Sequence, residues 1–202
     1  MKKRERKERK RSISLGIVLF LMVGALSGCA KNVVQDEKQE TEAKETKGSE
    51  EVREITDMAG RTVKVPAEID SVFSPKPTSA IYLYTLVPDK LLGWNYELND
   101  IEKSVILDEY ETLPNFGMGD SINYEAVIAE EPEIALNVGT INDAFISECD
   151  ALSDSLGIPV VAVDGDLMAA PEAYRFMGDV LGAEEEAEKL AAYAEETFED
   201  IA

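Results

Sequence analysis

The chain has no histidine, two cysteines, one tryptophan and half as many basic as acidic residues, 20 Lys/Arg against 41 Asp/Glu in 202 positions. Without histidine it lacks the commonest metal ligand and the usual general base, which excludes a His-built zinc or manganese centre and His-based hydrolysis. The shortage of Lys/Arg argues against nucleic acid as a partner, because phosphate binding is driven by cations that release counterions. No run reaches the roughly 20 apolar residues that span a bilayer; the longest covers residues 13–26. Cofactor loops are missing too. Gly117-Met118-Gly119 lacks the third glycine and following helix pattern of a dinucleotide loop, and no phosphate-loop lysine motif occurs. Asp164-Gly165-Asp166 opens like a calcium loop, but the downstream carboxylates fall at the wrong spacing. Asp143, Asp150 and Asp154 read as a solvated helix face. No cofactor is implied.

What is present begins with a basic head at residues 1–11, the apolar run, and then Leu26-Ser27-Gly28-Cys29. Basic, apolar and small-residue regions in that order make a secretory signal. A cysteine straight after Leu-Ser-Gly looks like a bacterial lipobox, with cleavage before Cys29 and lipidation of that residue. Residues 1–29 hold 8 Lys/Arg and 2 Asp/Glu, which leaves the remainder with 12 basic and 39 acidic residues and a formal charge of −27. Such a surface stays soluble and is repelled by the anionic membrane to which it would be tethered. Residues 30–51 are almost wholly polar and read as a disordered acidic tether, because they bury too little apolar surface to offset their ordering entropy.

Periodicity then predicts an α/β domain. Two alternating runs flank Asp57-Met58-Ala59-Gly60, the pattern of a β-hairpin. Residues 69–74 and 91–94 are short apolar strands, with a helix between them that Thr78 or Ser79 can cap and that ends near Leu86. Residues 100–115 form a loose polar connection and residues 116–121 a glycine-containing loop. A short helix capped by Ser121 or Asn123 precedes a buried strand at 134–138. An amphipathic helix at 142–156 carries Phe145, Ile146, Cys149, Leu152 and Leu156 on one stripe, so Cys149 is expected to be a buried, inert thiol. A further strand at 159–164 is too continuous for a one-sided sheet, and Pro171 suits the first turn of the next helix. Strand–helix alternation with buried strands implies a parallel sheet covered on both faces. Residues 183–202 form a last helix with Ala187, Leu190, Ala191, Ala194, Phe198 and Ile201 on one stripe and no stop signal.

The residues in this order resemble the substrate-binding lipoproteins of ABC importers for iron–siderophore complexes, haem and cobalamin. Asp57-Met58-Ala59-Gly60-Arg61-Thr62-Val63-Lys64-Val65-Pro66 is similar to the family's opening hairpin. Residues 80–93, 123–136, 155–161 and 177–190 are similar in the right order, so the likeness runs over residues 52–202. The resemblance implies a Rossmann-like parallel-sheet lobe at 52–182, the start of a long inter-lobe helix at 183–202, and a second lobe absent from this chain. It implies capture of a metal chelate or macrocycle and delivery to an ABC permease with its ATPase subunits, with no enzymatic chemistry. It also implies a lipid-anchored place on the outer membrane face of a Gram-positive cell. The chain departs from the pattern at Val87-Pro88-Asp89 and Pro132-Glu133, and its ligand loops hold neither Arg nor His. A same-fold receptor for another ligand, such as molybdate, or a surface hydrolase or sensor domain are the alternatives.

Ligands of open parallel sheets lie beyond the carboxyl ends of the strands. That rule selects the loops at 74–79, 95–97, 116–121 and 139–142. The ligand-binding candidates are Lys76 as a point charge, Thr78 and Ser79 at a helix N-terminus, Trp94, Tyr96 and Phe116 as flat walls, and Met118 and Thr140. At a strand end Trp94 suits core packing as well, and Lys76 suits plain solvent exposure. Glu125 is favoured in the first turn of its helix by the macrodipole; by resemblance it matches the surface glutamate that docks on the permease.

Overall fold

The computed structural model describes residues 51–201. The expected signal segment, Cys29 and the tether lie outside the described residues, apart from residue 51. Strands β1 (Val52–Thr56) and β2 (Thr62–Pro66) pair antiparallel with Val52 opposite Pro66 and Thr56 opposite Thr62. Strands β3 (Val72–Phe73), β4 (Ile134–Gly139) and β5 (Val160–Asp164) form a parallel sheet in that order. Helices α1 (Pro77–Leu86), α2 (Asp100–Lys103), α3 (Tyr124–Ala129), α4 (Asp143–Leu156), α5 (Ala170–Leu181) and α6 (Glu184–Ile201) complete the chain.

The period-two geometry of strands explains how the sheet divides two cores. Val72 of β3, Ile134, Leu136 and Val138 of β4, and Val161 and Val163 of β5 face a core with Leu83 and Leu86 of α1 and Met177, Val180 and Leu181 of α5. Phe73, Ala135, Val160 and Ala162 point the other way, to Val127 of α3 and Phe145, Cys149, Leu152 and Leu156 of α4. Each large apolar side chain so buried contributes roughly 1.5–3 kcal/mol. Both faces are covered, as continuous apolar strands require.

The hairpin is clamped to the sheet through Asp57, whose carboxylate is buried. It accepts from the amides of Ala59 at 3.1 Å, Arg61 at 2.9 Å and Ala162 at 3.1 Å, and from Arg61 Nε and Nη2 at 3.0 and 2.8 Å. Arg61 also donates to Asp150 of α4 at 2.7 Å and to the Val160 carbonyl at 2.7 Å. Three segments distant in sequence thus meet at one ion pair. Gly60, at φ 77°, makes the turn that brings Arg61 back over Asp57.

Helices α5 and α6 form a tight pair. A Cβ added to Gly178 would stand 2.4 Å from Ala187 Cβ, so the backbones approach through glycine and alanine. Arg175 of α5 then donates to Glu188 at 2.7 and 2.9 Å and to Glu195 at 2.6 and 3.1 Å. Of the expected α6 stripe, Ala187 and Ala191 are buried, Leu190, Ala194 and Phe198 half-buried, and Ile201 exposed. The packing is closest at the turn end of the pair, where Gly178 admits Ala187.

Local expectations need three corrections. The cap of α1 is Lys76 with Pro77 in the first turn and no side-chain bond, because Ser79 lies inside the helix and accepts the Val138 amide at 2.9 Å. Residues 91–94 make only isolated bridges, Leu91 to Val72 and Trp94 to Asn115, in place of a strand. The polar connection at 100–115 contains helix α2, whose Asn99 and Glu102 form a reciprocal capping box. Asn123 caps α3 and Asn142 caps α4, and Gly157, at φ 71°, ends α4.

Candidate ligand-binding site

Because β3, β4 and β5 are parallel, their carboxyl ends share one edge, and the loops after them emerge together. The β3 loop turns at Ser74-Pro75-Lys76-Pro77 into α1. The β4 loop runs through Thr140 to the cap of α4, and Gly165-Asp166 leads from β5 into a short turn before α5. Asn95 joins the outer loops to this edge: its Nδ2 donates to the Ser74 carbonyl at 2.9 Å and the Gly117 carbonyl at 3.3 Å. Gly117, at φ 78°, has Ser121 O only 2.2 Å from where a Cβ would stand, which keeps the 116–121 loop tight against itself.

The sequence candidates divide on this scaffold. Tyr96, Met118 and Thr140 are exposed on the edge loops, and Thr78 is exposed in the first turn of α1. Glu125 is exposed in the first turn of α3. Three candidates instead belong to the core, and as placed they offer no surface to a ligand. Ser79 is fully buried by its bond to Val138. Trp94 packs against Tyr84 and donates from Nε1 to the Tyr110 carbonyl at 2.8 Å, the partner that a buried indole needs. Phe116 stands edge-on to Phe73, with centroids 5.8 Å apart.

Lys76 is neither free nor simply solvated. Its ammonium pairs with Glu148 of α4 at 2.9 Å and lies 5.0 Å above the Phe145 ring. Glu148 is a partner of a candidate residue that sequence reasoning missed. It stands 72 positions from Lys76, and its only signal is an unneutralised acid one turn after Phe145 on the buried side of an amphipathic helix. Beside this pair a groove of about 410 Å³ runs between the β3 loop, residues 119–124 and α4, with Asp120 and Tyr124 among its lining. Tyr96 donates its hydroxyl to Glu102 at 3.0 Å, and that bond to a carboxylate holds the phenol above its ordinary range.

Burial pushes the Cys149 thiol up, and its nearest polar partner is Asn137 Nδ2 at 3.5 Å. Among the described residues no group of three or more Cys, Asp or Glu is arranged to hold a metal, and no helix is long and apolar enough to cross a membrane.

No family model matches the chain, and no curated protein does. Solved structures do. One is an ABC transporter solute-binding protein from Sulfurospirillum deleyianum DSM 6946, 23% identical with TM-score 0.59, covering 69% of this chain and 45% of that one. A second is the siderophore-binding protein BauB bound to a complex of two acinetobactin molecules and ferric iron, 14% identical with TM-score 0.55, covering 75% and 53%. A third is the molybdate periplasmic binding protein MolA of Haemophilus influenzae with molybdate bound, 19% identical with TM-score 0.52, covering 69% and 49%. The chain therefore spans about half the length of the structures it matches. Its described residues have the α/β fold of the solute-binding proteins of ABC transporters.

Proposed function

We propose that this protein is the extracytoplasmic receptor of an ABC importer, and that it captures a chelate or macrocycle such as an iron–siderophore complex, haem or a corrinoid. The observation that carries the reading is the joint one of fold and edge. A lobe with the solute-binding fold presents four exposed candidates, Thr78, Tyr96, Met118 and Thr140, beyond the carboxyl ends of its parallel strands. Ligands of open α/β sheets bind there. Molybdate remains the runner-up ligand, because a molybdate-binding protein shares the fold. An enzyme is disfavoured by the buried, elevated Cys149 thiol and by the lack of histidine.

In this reading residues 52–182 are one wall of a two-lobed cleft and α6 is the start of the helix that leads to the other wall. Glu125, exposed in the first turn of α3, docks on the permease, and lipid on Cys29 holds the receptor beside it. Half of a cleft provides half of the contacts, so residues 52–202 by themselves bind the chelate more weakly than micromolar. Titration calorimetry with a ferric trihydroxamate, haemin, cyanocobalamin and molybdate tests this. Weak saturable binding of one of the first three is expected. Tight molybdate binding moves the assignment to the runner-up, and micromolar or tighter binding of any of them contradicts the two-wall reading.

A further inference from the structure

Residues 51–201 carry eight Lys/Arg, and Lys76 alone lies in a loop at the carboxyl edge of the parallel sheet. That one cation is already engaged by Glu148 at 2.9 Å. The same edge carries Glu97, Asp120, Asp164 and Asp166, and among the described residues no Lys or Arg pairs with any of the four. A second observation is independent of these charges. The Asn95 side chain is 97% buried between the loops at 74–79 and 116–121, where Nδ2 is spent on two carbonyls and Oδ1 is an acceptor without a donor. The edge thus offers carboxylates and the exposed rings of Tyr96 and Tyr124, beside the buried Asn95 oxygen that lacks a donor, and rings of this kind attract cations.

We propose that this edge selects a ligand that is neutral or cationic where it meets the lobe, and that Glu148 sets the choice by neutralising Lys76. The inference rests on the reading of the edge as ligand-facing. A polyanionic chelate would have to pull Lys76 away from Glu148 and then face like charges on three neighbouring loops, those of Glu97, Asp120 and Asp164-Gly165-Asp166, a juxtaposition that rejects partners. A cationic complex meets carboxylates and aromatic faces without displacing anything. Glu148 acts through Lys76 and is a positioning residue in this scheme.

Two inert complexes of matched size and opposite charge, hexaamminecobalt(III) and hexacyanocobaltate(III), serve as probes on the full chain, followed by amide NMR shifts. The trication is expected to shift amides at 74–79, 116–121 and 139–142 saturably, and the trianion to leave them unmoved. Glu148→Gln removes one negative charge and frees Lys76. It should weaken the trication there roughly tenfold and let the trianion bind, the size expected for one partly screened charge at short range. Glu54→Gln removes the same charge from the hairpin, where Glu54 pairs with Lys64 on the surface, and should change edge binding by less than about twofold. Edge binding indifferent to the sign of the probe, or Glu148→Gln behaving like Glu54→Gln, overturns the proposal alone. Shifts confined to the hairpin or α6 overturn the ligand-facing edge itself, and the proposal with it.

Discussion

The hairpin clamp and the carboxyl edge of the sheet are both built around a polar side chain that is at least 97% buried, and they treat it in opposite ways. Asp57 receives five hydrogen bonds and has its charge matched by Arg61. Asn95 makes two bonds through Nδ2 and leaves Oδ1 open. A saturated node fixes the relative positions of β1, β2, α4 and β5 and has nothing left for a partner. The unsaturated one is flanked by exposed loops and keeps an acceptor without a donor. Buried polar groups without partners are costly, so they persist where something besides stability is served. In the proposed reading, stability belongs to one region and recognition to the other.

The largest way to break this contrast is to remove the saturated side. Asp57→Ala leaves the partly buried Arg61 guanidinium without its main partner and the amides of Ala59, Arg61 and Ala162 without this acceptor. Loss of about 3–5 kcal/mol is expected, as when one partner of a buried ion pair is deleted, and urea unfolding checks it. Next comes the α5–α6 pair. Gly178→Val forces a branched side chain against Ala187, and overpacking of this kind costs about 1–3 kcal/mol. Hydrogen exchange should then report earlier opening of α6 than of β4.

Edge substitutions should show the reverse profile. Met118→Ala and Thr140→Ala change exposed side chains and should shift stability by less than about 0.5 kcal/mol. Chelate binding should nevertheless fall. A pair of substitutions that costs stability and spares binding would erase the division between the two regions.

The smallest expected effect concerns pH. Hydrogen bonds from Arg175 hold the Glu188 and Glu195 carboxyls below their ordinary value of 4.5. A carboxylate depressed in the folded state stabilises it fully above its unfolded value, and that contribution fades as pH falls through the folded value. Thermal melts of the native protein and Arg175→Gln should therefore differ at pH 7 and converge below 4.5. Both glutamates lie at the surface, where water screens the pairing, so the gap is small.

Much of this architecture was legible because it is local. Alternation around Asp57-Met58-Ala59-Gly60 announced the hairpin, continuous apolar strands announced a sheet covered on both faces, and the apolar stripe over 142–156 and Pro171 marked helices that the structure keeps. The α/β fold, with its parallel sheet and final helix, is the one expected from the resemblance. What failed was non-local. Ser79 reads as a helix cap until β4 brings Val138 beside it, 59 positions later. Trp94 and Phe116 look like ligand walls in a loop-rich stretch, and only Tyr110 and Phe73 reveal that they are core. Lys76 reads as a point charge or a solvated side chain, and only the fold brings Glu148 beside it from another helix. Charge balance at a site depends on which acids the fold brings near, and spacing along the chain does not carry that.

Hydrogen exchange of the full chain, with and without saturating ferric trihydroxamate, haemin or cyanocobalamin, tests most directly whether the carboxyl edge is the ligand-facing surface. Added protection should be confined to residues 74–79, 95–97, 116–121 and 139–142 for the chelate that binds. Protection centred on the hairpin or on α6, with the edge loops unchanged, would contradict it.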